Sequence, residues 1–257
     1  MTVYEHFRPE ERVFIDHILD MKERVIERYT PRLTDFLDPR QQRILTSLIG
    51  GEDGIRLSLC GGYEHAERKR ALLLPPYIEE QGELFRLAYL EVHYPDRFGS
   101  ITHPELLGSL TGMGVSRDKI GDLLLESGKV QFICTQELAS YFALNLTSVG
   151  KMRVSCISIK SEDLLHSENK WQEFEGTVSS LRLDTVLSEI YRLPRAKASE
   201  AIAHERAKVN WEIVDKRDFD VHAGDCLSLR GFGRSKIISC DGLTKKNKIR
   251  IQYGKLK

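Results

Sequence analysis

The chain has little that would mark a secreted or membrane-borne protein. Its longest apolar runs, such as Ala71–Pro76, fall far short of the roughly 20 residues needed to cross a bilayer. Glu5, Glu10 and Glu11 crowd the start, where a secretory signal would carry positive charge and then an apolar core. A cytoplasmic location without membrane contact is expected. The five cysteines, Cys60, Cys134, Cys156, Cys226 and Cys240, include no CxxC pair and have mostly apolar neighbours, which favours reduced structural thiols over a zinc site or a disulfide framework. The eight histidines form no HxxxH pair, so neither a metal nor another cofactor is expected. Internal repeats and low-complexity tracts are absent too.

Net charge is also lacking, but the balance is uneven. Residues 1–180 carry 21 Lys and Arg against 28 Asp and Glu, whereas residues 181–257 carry 17 against 10. A basic end on an acidic body suits a module that binds a polyanion.

Apolar periodicity predicts an α+β protein in three parts: an α+β region over 1–74, a middle domain over 75–160 and a C-terminal domain over 181–257. In the first, Phe14, Ile18, Met21, Val25 and Tyr29 recur at helical spacing up to Pro31. Asp38-Pro39 reads as an N-cap with proline at the first helical position, opening a helix with Ile44, Leu45, Leu48 and Ile49 that Gly50-Gly51 stops. Ile55–Cys60 alternates as a strand, with Arg70–Leu74 as its partner. In the middle domain, Leu84–Tyr94 reads as a strand, His103–Met113 and Ser116–Glu126 as helices, Lys129–Cys134 as a strand, Gln136–Leu144 as a helix and Met152–Ile159 as a strand. That order suggests a ferredoxin-like or RRM-like sandwich. Residues 161–180 are expected to be a linker, since 161–176 are polar and acidic.

In the last part, Leu183, Val186, Leu187 and Ile190 fall on one helix face, and Pro194 breaks before a second helix carrying Ala198, Ala201 and Ile202. Short strands around 207–210, 212–214 and 227–230 follow, with a final ribbon from 235–239 and 248–253.

Arg182-Leu183-Asp184, Leu187, Leu193, Arg195, Ala198, Ile202, Lys208-Val209-Asn210 and Val221-His222-Ala223-Gly224-Asp225 come at intervals that resemble the S4 RNA-binding pattern. The match covers about 50 residues. It departs at Pro194, where Ser is common, and at Glu205 and Trp211, where Gly is common; the last two put the turn geometry in question. The whole chain, with Gly112–Asp122 (GMGVSRDKIGD), is similar to the YlmH family of bacterial S4 proteins. That resemblance implies a middle RNA-binding-like domain, a C-terminal S4 domain, and partners in ribosomal RNA of the large subunit or tRNA. Related small S4 proteins act in ribosome-associated quality control during translation.

The residue chemistry supports RNA beside the resemblance. A-form RNA presents phosphates, 2′-hydroxyls and shape rather than major-groove base edges. Arginine grips phosphate with paired hydrogen bonds and lysine acts as a mobile point charge. Candidate RNA-binding residues are Arg182, Arg195, Lys197, Ser199, Arg206, Lys208 and Asn210, the last of which equally suits a turn cap. From Arg230 to Lys257 nine Lys and Arg face one acidic residue, so Arg230, Arg234 and Lys236 extend the basic surface. Arg117 and Lys119, at a predicted helix start beside Gly112 and Gly114, form a possible second RNA surface. Asp184 reads as structural, a helix-terminal acceptor or an arginine partner.

No catalytic residue is assigned. Arg182-Leu183-Asp184 resembles part of the pseudouridine synthase motif, but Ser180-Leu181 precede it and the S4 helix follows. Gly112-Met113-Gly114 follows a helical stretch rather than the strand a methyltransferase cofactor loop needs. A monomeric, non-enzymatic RNA holder is the expectation. An S4-bearing RNA-modifying enzyme and a protein–protein adaptor acting through the acidic body are the alternatives.

Overall fold

The computed structural model describes residues 7–49, 54–95, 99–126, 128–165, 171–244 and 247–256. The chain forms two compact units, residues 1–167 and 168–257. The expected glycine stop at Gly50-Gly51 lies outside the described residues.

The first unit begins with α1 (Arg12–Arg28), which buries Ile15, Ile18, Met21 and Val25. Tyr29 ends it in the left-handed conformation and stays exposed, so the apolar stripe closes one turn earlier than the spacing suggests. β1 (Arg32–Leu37) follows, then α2 (Pro39–Ile49). The Asp38 carboxylate accepts the Gln41 N–H at 2.9 Å while the Gln41 side chain accepts the Asp38 N–H at 2.9 Å, a reciprocal cap at the predicted place. β2 (Arg56–Cys60) and β3 (Lys69–Leu74) complete a sheet ordered β1-β3-β2. Ile55, Leu57 and Leu59 all face the same apolar cluster as α1 and α2, as their alternation predicts.

The middle of this unit runs β4 (Leu87–His93), α3 (His103–Gly112), β5 (Ile120–Glu126), β6 (Lys129–Thr135), α4 (Ala139–Asn145), the short pair β7 (Ser148–Val149) and β8 (Met152–Arg153), then β9 (Ser155–Ile159). The four-stranded antiparallel sheet is ordered β5-β6-β4-β9. Numbered within the domain that is 2-3-1-4, the ferredoxin-like arrangement with its βαββαβ order.

One expectation is corrected. Residues 116–126 are a single 3-10 turn (Arg117–Lys119) leading into β5, not a helix. The β5–β6 register shifts between Ile120 and Leu123. This bulge sends Ile120 and Leu123 to the helix-covered face and Leu124 to the other. A bulged strand thereby spaces its apolar residues as a helix would.

The second unit packs α5 (Leu183–Tyr191) and α6 (Arg195–Ala203) on one face of a sheet ordered β10-β15-β14-β13-β11-β12. Its strands are β10 (Trp171–Val178), β11 (Ala207–Val209), β12 (Glu212–Ile213), β13 (Cys226–Leu229), β14 (Gly233–Leu243) and β15 (Ile249–Leu256). Residues 171–178, expected in the linker, are an edge strand paired with β15 along its whole length. Their polar and charged side chains reflect that edge position rather than disorder: Glu173 and Glu175 are exposed while Phe174 stacks on Tyr253. The predicted faces hold, with Leu183, Val186, Leu187, Ile190, Ala198 and Ile202 all buried in one core.

Candidate nucleic-acid interface

Arg182 sits at the N-cap of α5 and Arg195 opens α6. Their guanidinium groups converge on Asp184, whose side chain is 3% exposed. Arg195 Nε donates to Oδ2 at 2.9 Å, and Arg182 Nε donates to Oδ1 at 3.2 Å. Burial alone would raise the Asp184 carboxyl. The hydrogen bonds and charges of Arg195 and Arg182 outweigh it and hold the group below its ordinary value. The two arginines remain 35% and 52% exposed, so a buried carboxylate orients two cations that still face water.

Lys197 is exposed on α6 and Ser199 is half-buried there; Arg206 is exposed between α6 and β11. The other basic candidates lie on the opposite face of the sheet. Lys208 pairs across to Ser228 and Ser228 to Arg234, one rung of the ladder. Lys236 pairs with Cys226 on the same face. This face is opposite to Val209, Leu227, Leu229 and Ile237, which alternate into the helix-packed core. Arg230 is exposed at the β13–β14 turn. Of the basic tail, Lys245, Lys246 and Lys257 lie outside the described residues.

Asn210 clamps a turn, the second of the two roles its chemistry suits. Its Nδ2 donates to Asp225 at 2.7 Å and its Oδ1 accepts the Cys226 N–H at 3.0 Å. The two departures at glycine positions of the S4 pattern, Glu205 and Trp211, both adopt positive φ, 55° and 68°, so the glycine-type backbone is retained without glycine. Lys216 and Arg217 escaped sequence reasoning. They lie on an exposed loop whose carbonyls at Arg217 and Phe219 accept the N–H groups of Asp184 and Leu183, which places the loop beside Arg182. Asp215, Asp218 and Asp220 share that loop and mask its basic pair in any charge count.

At the second surface expected at Arg117 and Lys119, both side chains bond within the fold. Arg117 donates to the carbonyls of Ile120 and Gly121, and Lys119 Nζ bonds Asp35 at 2.7 Å. A three-residue 3-10 turn also lacks the aligned N–H groups of a helix N-terminus. Lys119 thus ties the middle domain to β1, and Arg117 braces the start of β5. Lys119→Ala should therefore lower stability by no more than about 1 kcal/mol, as a half-exposed pair does, and leave RNA affinity unchanged. Lost affinity with unaltered melting would return Lys119 to the interface.

Among the described residues, both faces of the middle sheet are largely covered, although Ile157 stays exposed. α3 and α4 cover one side. On the other, Tyr89, Leu124, Ile133 and Ile159 are covered by Phe36 of β1, Tyr63, Leu164 and Leu165. Gly62 and Gly121 permit this approach, since a Cβ would come within 2.7 Å of Tyr89 and 2.8 Å of Phe36 respectively. Among the described residues no three His, Cys, Asp or Glu side chains gather to hold a metal ion.

Three family models match the chain: "YlmH, N-terminal" over residues 10–78, "Putative RNA-binding domain in YlmH" over 80–163, and "S4 domain" over 181–226. The chain is 42% identical over 255 residues to a Bacillus subtilis (strain 168) protein named "Ribosome-associated protein quality control protein P2", covering 99% of each. It is similar to a solved structure titled "Cell division protein ylmH from Streptococcus pneumoniae", with 28% identity and a TM-score of 0.53, over 63% of this chain and 99% of that one.

Proposed function

The chain belongs to the YlmH family, and on that premise we propose that it is a non-catalytic, monomeric cytoplasmic protein that holds structured RNA at the ribosome, in ribosomal RNA of the large subunit, tRNA or both. The observation that carries this reading is the Arg182–Asp184–Arg195 cluster. Two helices contribute one cation each, and a single buried carboxylate sets their spacing before any ligand arrives. Preorganised guanidinium groups lose less freedom on gripping phosphate. The same cluster disfavours a modifying enzyme, because a carboxylate this buried and bonded to two arginines is poorly placed to attack a base.

The test is affinity for ribosomal RNA and tRNA over a salt series. Phosphate contacts release counterions, so six or more should cost roughly a thousandfold between 50 and 200 mM salt. Arg182→Ala and Lys208→Ala should weaken binding to every RNA alike, each lowering the salt slope by about one. Flat salt dependence with both variants binding like wild type would refute the platform, and uridine isomerisation or methyl transfer by the pure protein would refute the non-enzymatic assignment.

A further inference from the structure

We propose that the Trp211 turn is a stacking site for an unpaired RNA base, flanked by lysines that take the neighbouring phosphates. The proposal rests on the RNA-binding reading above and extends it to the sheet face opposite the helices.

Asn210 and Trp211 are the two central residues of the hairpin between Val209 and Glu212, with φ of 50° and 68°. That is the primed two-residue turn, whose second position favours glycine. A bulky residue there is an outlier and costs stability. The turn is held regardless, because both ends of the Asn210 amide and its backbone N–H are bonded to Asp225 and Cys226. Burial in the core does not repay the strain. Trp211 is half-buried, yet among the described residues the apolar core of this unit does not take it in. A large aromatic is thus kept at a strained, clamped turn outside the core.

Its surroundings suit a nucleobase. The Arg234 guanidinium lies over the Trp211 ring, 5.6 Å from its centroid, within cation–π reach. Lys208 precedes the turn on β11, and Lys236 stands opposite Cys226, whose carbonyl receives the Asn210 N–H. Both lysines are exposed on the same sheet face. Aromatic rings beside basic groups bind single-stranded positions with little regard for sequence, since every base has a π face. The ligand class is therefore a bulged or loop nucleotide next to a helix, not a continuous duplex.

The test uses the full chain carrying Trp171→Phe, which leaves Trp211 as the single tryptophan. Two probes are compared: a hairpin RNA with one unpaired adenosine bulge, and the same hairpin fully paired. The bulged hairpin should quench the indole emission and the paired one should not. Trp211→Ala and Trp211→Gly should weaken binding of the bulged hairpin about tenfold and leave the paired one nearly unchanged, while Trp211→Phe restores most of the loss. Trp211→Gly should also melt no lower than its parent, because it relaxes the turn, so lost binding is not lost folding. If both hairpins bind with steep salt dependence and Trp211→Gly matches its parent on each, or weakens both equally, the stacking site is refuted alone. If neither hairpin binds the parent, the RNA-binding reading itself fails.

Discussion

Asp184→Ala should destabilise the C-terminal unit by about 2–3 kcal/mol and lower its affinity for structured RNA about tenfold, without lowering its affinity for a featureless polyanion such as heparin. Removing one partner of a buried ion pair costs about 3–5 kcal/mol. The lower figure applies because Arg182 and Arg195 reach water and can be solvated once released. For binding, two effects oppose. Losing a carboxylate adds net positive charge, worth about 1 kcal/mol at contact distance in water. Losing the orientation of the two arginines forfeits about one charge-assisted contact, worth about 1.5–3 kcal/mol. Geometry outweighs charge for a structured ligand, and charge alone remains for heparin. Equal losses on both ligands would show that the cluster is merely structural. Acid should act through the same group. Its folded carboxyl titrates below the ordinary aspartate value of about 3.9, so its stabilisation is complete above that pH and is lost as pH falls through the folded value. Asp184→Asn should flatten this acid limb in a urea-melt series.

Asp122→Ala should cost the first unit about 3–5 kcal/mol, read from urea or thermal unfolding. Asp122 is only 9% exposed and accepts three hydrogen bonds, from the Tyr63 hydroxyl at 2.7 Å and the backbone N–H groups of Glu67 and Arg68 at 2.7 and 3.0 Å. Burial, with the Asp122 charge beside it, pushes the Tyr63 phenol up, so that it remains a donor. Each donor stranded away from water costs about 1–3 kcal/mol. Asp122→Asn should be nearly as harmful, because an amide offers one acceptor oxygen to three donors and turns its own N–H groups against the others. A benign Asn variant would refute the hub. RNA affinity of the C-terminal unit should be unaffected by either change.

The parts of this architecture that were legible in the sequence were those where period and burial agree. α5 presents Leu183, Val186, Leu187 and Ile190 in one stripe, and each is fully buried. β2 alternates, and its predicted face, Leu57 and Leu59, packs half-buried against the core of α1 and α2. Legibility failed where the backbone broke its own period. β1 went unrecognised because its register shifts between Leu33 and Phe36, around a Thr34 whose hydroxyl serves Ala71. β5 passed for a helix for the same reason. At the candidate interface, the S4-like spacing marked Arg182, Arg195 and Lys208 as candidates, and Asp184 was recognisable as an arginine partner, bonded as it is to Arg182 and Arg195. Spacing alone did not separate cations spent on the fold, Arg117 and Lys119, from those held toward solvent. That distinction depends on acceptors as remote in sequence as Asp35.

The covered face of the ferredoxin-like sheet bears on how the protein can be cut. Family boundaries invite a fragment starting near residue 80. Such a fragment would leave behind Phe36 and Tyr63 and bare Leu87, Tyr89, Leu124, Ile133 and Ile159 to water, an apolar sheet surface of the kind that drives aggregation. It would precipitate, or bind nucleic acid and protein alike through a surface that the intact molecule never displays. The whole first unit, residues 1–167, keeps that lid, and activities assigned from a fragment lacking Phe36 and Tyr63 would belong to the cut rather than to the protein.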